Sequence, residues 1–100
     1  MADEKLVTRI KEVGAKQAVE EWNSAGKTID LSGADLRTAD LSAADLSGAD
    51  LTKANLCAAD LRGADLRGAD LSETKLNVAN ISGAHLTGSN LSGTNLYRAD

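Results

Sequence analysis

Residues 39–72 read ADLSAADLSGADLTKANLCAADLRGADLRGADLS, and the Leu in this run recurs every fifth position. Outward from it, the same register runs from residue 29 to residue 100, with Leu at 31, 36, 41, 46, 51, 56, 61, 66, 71, 76, 86, 91 and 96. Ile81 fills the only gap, so all 14 central positions are branched aliphatic. Two residues before each lies a small side chain, Ala in 10 of 14 units, with Ile29, Thr74, Ser89 and Thr94 as departures. Asp or Asn stands between the two in 12 of 14, the exceptions being Lys75 and His85. After the Leu come mostly Ser, Thr or Arg and then, in seven of 14 units, Gly.

Ala, Asp, Leu alternates apolar, polar, apolar, the period-two pattern of extended chain with both apolar side chains on one side. The Ser-Gly type pair that follows is turn chemistry, since Gly takes positive φ freely. A short extended piece and a corner therefore repeat every five residues, and a chain that bends the same way at each corner closes on itself. Stacked turns pair their backbone groups at about 4.8 Å. The sequence predicts an all-β solenoid lined by Leu and Ala columns, the Ala being small because two inward side chains per corner crowd the axis.

Period five matches neither 3.6 nor 2, so a helix smears the Leu positions around its surface and a flat strand alternates them between faces. Disorder fails because the strict Leu spacing supplies the burial that disordered chains lack. The number of sides stays open on spacing alone. With four corners per coil, Gly48, Gly68 and Gly88 cluster, Gly63 and Gly83 cluster, and positions 38, 58, 78 and 98 carry none. With three corners, Gly33, Gly48, Gly63 and Gly93 also align.

Residues 1–28 differ in character and form a separate segment from 29–100. Leu6, Val7, Ile10, Val13, Gly14, Ala18 and Trp22 lie on one stripe at helical spacing, Asp3 and Glu4 at its start favour the helix dipole, and Asn23, Ser24 and Gly26 read as its stop. An exposed solenoid end shows apolar side chains and unpaired backbone. One amphipathic N-terminal helix is thus expected to cap the solenoid, with Trp22 on the first coil. Five acidic and five basic residues in this segment give it no cationic face for a membrane surface.

The whole chain has 100 residues and a net charge of −4, with 31 residues Ala or Leu and only two aromatics, Trp22 and Tyr97. That composition gives no basic nucleic-acid footprint and no stacking platform for single strands, so direct nucleic-acid binding is not expected. A lone Cys57 forms no internal disulfide. The start MADEKLVTRI shows no apolar export segment, and no stretch approaches a membrane span, so a cytoplasmic protein is expected. Asn80-Ile81-Ser82 and Asn90-Leu91-Ser92 match the glycosylation pattern as by-products of the repeat.

The run quoted first resembles the A(D/N)LXX signature of the pentapeptide-repeat family. The resemblance implies a right-handed quadrilateral β-helix with four units per coil, the Leu and the small residue inward. Fourteen units then make 3.5 coils, roughly 17 Å tall at the usual strand spacing.

On that frame Asp30, Asp50 and Asp70 stack on one face, Asp40, Asp60 and Asp100 on another, and Asp45 and Asp65 on a third. These stripes have two readings. Asp and Asn accept local backbone hydrogen bonds and keep the surface soluble. Alternatively they imitate a DNA backbone, as the resemblance implies for members of the family that bind type II topoisomerases. Duplex DNA carries a charge every 1.7 Å or so, whereas the stripes are broken by Arg37, Arg62, Arg67 and Lys75.

Arg37, Cys57, Asn77 and Tyr97 form an outer column on the same frame, and no neighbour in sequence activates Cys57. A single His85 excludes a Cys/His zinc cluster and leaves no nucleophile and base to pair. Carboxylates without a pocket to desolvate them do no acid–base chemistry. The expectation is a non-enzymatic scaffold or protein-binding module without metal or cofactor, the alternative a DNA-mimic inhibitor. Leu86, Leu91, Leu96 and Tyr97 make up a terminal layer, expected to support a weak homodimer through the C-terminal end.

Overall fold

The computed structural model describes residues 2–100. Among them no continuous strand forms. Instead single-residue parallel bridges join each residue between the small and the aliphatic position to the one twenty further on, such as Asp30 to Asp50 and Asp50 to Asp70. Twenty residues are four units, so the units stack in four columns. The first holds Asp30, Asp50, Asp70 and Asn90, the second Asp35, Asn55, Lys75 and Asn95. The third holds Asp40, Asp60 and Asn80, and the fourth Asp45, Asp65 and His85. The three-cornered register left open by the Gly spacing is excluded.

One unit shows why single bridges suffice. Ala54 N–H closes the preceding corner on Leu51 O (3.0 Å), Asn55 N–H reaches the level before at Ala34 O (2.8 Å), and Leu56 and Ala58 N–H reach the level after at Lys75 O (2.8 Å) and Asn77 O (2.9 Å). The fifth amide, on Cys57, goes to the Asn55 side chain at 3.1 Å. Every backbone donor is satisfied without a strand longer than one residue.

The corners set the shape. In all 14 units the second residue after the Leu has a left-handed φ, between 56° and 72°. Seven of these are Gly, which accepts that conformation without a steric cost, and seven are not. Inside, the Leu residues from 31 to 76 are at most 2% exposed, and Ala34, Ala44, Ala49, Ala54, Ala59, Ala64, Ala69 and Ala79 are buried beside them. Thr74 takes an Ala place, fully buried, because its hydroxyl donates to Leu51 O of the level before at 2.7 Å.

The N-terminal segment departs from expectation. It is two helices, α1 (Glu4–Val13) and α2 (Ala15–Ser24), not one. The break is Gly14, at φ 84° and ψ 159°, a conformation open to Gly and strained for other residues. It turns the chain so that Ala15 N–H meets Asp40 O at 2.8 Å, while Asp3 N–H meets Asp30 O at 2.9 Å. These bonds take the place that Leu41 and Leu31 amides take on the next level. Asp3 also caps α1, its carboxylate accepting from Lys5 and Leu6 N–H.

The break also shifts the buried stripe. Leu6, Val7, Ile10 and Ala18 are buried as expected, but α2 also buries Ala15 and Val19, while Val13 and Trp22 are only partly covered. Arg9 ties the helices together through a two-pronged bond to Glu21 (2.9 and 3.0 Å). Trp22 packs on the core with Lys27 4.6 Å above its ring, and its indole N–H has no acceptor among the described residues.

Candidate interaction surface

The bridge register stacks the acidic residues in columns. Asp30, Asp50 and Asp70 share the first column, Asp40 and Asp60 the third, Asp45 and Asp65 the fourth. Asp100 joins the third column above Asn80, its N–H on Ala79 O and its carbonyl on Ile81 N–H, both at 2.9 Å. The outer column of Arg37, Cys57, Asn77 and Tyr97 also forms, with the Cys57 thiol 3.7 Å from Asn77 Oδ1.

Each carboxylate in the stacks has local work. All 12 Asp and Asn residues at the bridge positions from 30 to 95 accept the backbone N–H two residues on, at 3.0–3.3 Å. That amide points away from both neighbouring levels and finds no backbone acceptor. An Asx side chain satisfies it, which is the physical reason for the repeat's second letter. The Lys75 side chain has no acceptor atom, and among the described residues neither it nor His85 caps the amide two residues on, that of Asn77 or of Thr87.

The carboxylates carry second partners as well. Ser32, Thr52 and Ser72 hydroxyls donate to Asp30, Asp50 and Asp70 at 2.6–2.7 Å. Arg37, Arg62 and Arg67 each grip their own Asp through two guanidinium nitrogens, at 2.6–2.8 Å. The hydrogen bonds from Arg37 and Arg67 hold the Asp35 and Asp65 carboxyls down at about 2. Arg62 lowers Asp60 in the same way, and Ser32 and Ser72 lower Asp30 and Asp70. On Asp30, Asp50 and Asp70 both local donors meet the same oxygen, Oδ1.

Charge is unevenly divided among the columns and their following corners. The first carries Asp30, Asp50, Asp70 and Glu73 against Lys53, a net −3. The third carries Asp40, Asp60 and Asp100 against Arg62, net −2, and the fourth Asp45 and Asp65 against Arg67, net −1. Only the second is positive, with Asp35 against Arg37, Lys75 and Arg98, net +2. Sequence reasoning missed this surface by following the Asp residues, although the missing Gly at 38, 58, 78 and 98 marked it.

The terminal layer is graded. Leu86 is partly buried, whereas Leu91, Leu96 and Tyr97 are 38%, 44% and 67% exposed. A cleft of about 380 Å³ separates Ile10 and Gly14 from Arg37 and Asp40 on the outside of the first level. Among the described residues no three His, Cys, Asp or Glu side chains gather to hold a metal, and no helix is long and apolar enough to cross a membrane.

The family model for pentapeptide repeats matches residues 29–56, 39–77 and 78–100, with eight copies. Among solved structures, a pentapeptide repeat protein from Nostoc PCC 7120 is 40% identical over 83% of this chain and 72% of its own, with a TM-score of 0.47. One from the cyanobacterium Cyanothece 51142 is 36% identical over 74% and 60%, with a TM-score of 0.44. HetL of Nostoc PCC 7120, a pentapeptide repeat protein involved in heterocyst differentiation regulation, is 43% identical over 70% and 37%, with a TM-score of 0.29. The chain thus spans less than two thirds of the latter two. No curated protein matches it. With its bridge register fixed at twenty residues and its family model running from residue 29 to residue 100, the chain belongs to the pentapeptide-repeat family.

Proposed function

We propose that the protein is a non-enzymatic scaffold that binds a protein partner through the outer side chains of its columns. The fold on which this rests is inferred to be a right-handed quadrilateral β-helix over residues 29–100, with residues 1–28 closing its first end. The observation that carries the reading is the amide accounting. Backbone groups of stacked levels and Asx side chains satisfy one another, as residues 54–58 show, so the frame holds its shape largely independently of the remaining outward positions. Such a frame presents side chains at fixed spacing, the property of repeat-protein binding surfaces.

The alternative is a DNA-mimic inhibitor acting on a type II topoisomerase through the first column, whose Asp30, Asp50 and Asp70 lack an Arg partner. Levels about 4.8 Å apart give a sparser charge than a duplex, with about 1.7 Å per phosphate, and a hydroxyl occupies one oxygen of each carboxylate. The test is supercoiling by purified gyrase with the protein added at tens of micromolar. The scaffold reading expects unchanged supercoiling; inhibition relieved by Asp50→Asn with Asp70→Asn would overturn it in favour of mimicry.

A further inference from the structure

The second corner, which follows the Asp35, Asn55, Lys75 and Asn95 column, is unlike the other three. Its left-handed positions are Thr38, Ala58, Val78 and Arg98, none of them Gly. The fourth corner, by contrast, has Gly48, Gly68 and Gly88 throughout. A left-handed backbone is unfavourable for any residue with a Cβ and an outlier for a β-branched one, yet Val78 sits there at φ 64°. The side chain gains no burial in return, for Val78 is 59% exposed and neighbouring Tyr97 67%. Backbone strain that holds an exposed apolar side chain in place points to something outside the molecule.

The charge on this column says what kind of partner fits. Lys75 replaces the usual Asx, and neither Lys75 nor Arg98 is in an ion pair among the described residues. Arg98 lies 5.9 Å from the Tyr97 ring. Tyr and Arg beside an apolar anchor are the residues that dominate the energetics of protein interfaces. The positive strip is narrow, however, flanked by a first column of net −3 and a third of net −2. A long polyanion such as nucleic acid or an anionic membrane meets those flanks and is repelled, while a short acidic segment meets only the strip.

From these observations we infer that the second corner, around Lys75, Val78, Tyr97 and Arg98, is the docking surface for an acidic polypeptide segment bearing an apolar anchor. This rests on the scaffold reading and names the surface and the partner chemistry. Lys75 and Arg98 receive the carboxylates, and the anchor packs on Val78 and the Tyr97 ring.

The test is selection from a random dodecapeptide display library on the full immobilised chain, followed by titration of the recovered synthetic peptides. The selected peptides should be net negative with at least one apolar residue. Their affinity should fall about tenfold or more, the loss of a strong contact, for Lys75→Glu with Arg98→Glu and for Tyr97→Ala. It should be unchanged for Arg62→Glu with Arg67→Glu on the third and fourth columns. Val78→Gly separates function from folding, since it should weaken binding while the melting temperature stays the same or rises. Neutral or basic peptides, equal losses from the Arg62 and Arg67 changes, or a single-stranded oligonucleotide bound at Lys75 and Arg98 as tightly would overturn the assignment and leave the scaffold reading standing. Failure to recover any binding peptide would defeat both.

Discussion

Replacing Leu66 with Ala should lower the unfolding free energy by about 2–5 kcal/mol, measured in denaturant melts. Leu66 is fully buried in the middle of the stack, with Ala64 and Ala69 buried beside it, so the surrounding column has little freedom to collapse into the space. Leu51 should behave alike, being buried to the same degree. Asp60→Ala is the internal control. It removes the cap on the Arg62 amide and the partner of the Arg62 guanidinium, but the Arg62 side chain is exposed and Asp60 half-exposed, so water replaces the lost bonds. Its cost should be well below that of the Leu changes. Equal losses from Asp60→Ala and Leu66→Ala would mean that inward and outward positions are misassigned.

Removal of residues 1–24 should make the chain aggregate. Leu6, Val7, Ile10 and Val19 leave the core with the segment, and burial of each such side chain is worth about 1.5–3 kcal/mol. The first level also loses the donors from Asp3 and Ala15 that meet Asp30 O and Asp40 O. What remains is an apolar end with open backbone acceptors, a template for association with another chain. Size-exclusion chromatography and thermal melts would check this. A truncated chain that elutes without higher-order species and melts at an unchanged midpoint would show that the helices are an appendage and not a lid.

The inward columns were legible in the sequence because burial imposes one residue type at a fixed interval, and fourteen aliphatic positions in register leave no other reading. The Asx position was legible for the same kind of reason, since one outward amide per unit needs an acceptor two residues before it. The number of sides was not, because Gly marks only seven of the 14 left-handed corners and the other seven carry a side chain despite the φ. Nor was the split of the N-terminal helix. Gly14 lies on the same apolar stripe as its neighbours, and only the need to bring the Ala15 amide onto Asp40 shows why the chain breaks there. The second corner was hidden because strain and net charge by column become visible only once the twenty-residue register is known.

That register is tested most directly by a covalent link across it. Cys57 and position 77 lie on adjacent levels of one column, with the thiol already 3.7 Å from the Asn77 side chain. The level spacing of about 4.8 Å falls within the Cα separation of about 4.4–6.8 Å that a disulfide spans. Under mild oxidation Asn77→Cys should therefore lose both thiols as a monomer, forming an intramolecular bond with Cys57. Ser72→Cys, fifteen residues from Cys57 and its stacked partner only if the coil had three sides, should keep them. An Asn77→Cys chain that stays reduced while Ser72→Cys closes readily would contradict the four-column stack and everything built on its faces.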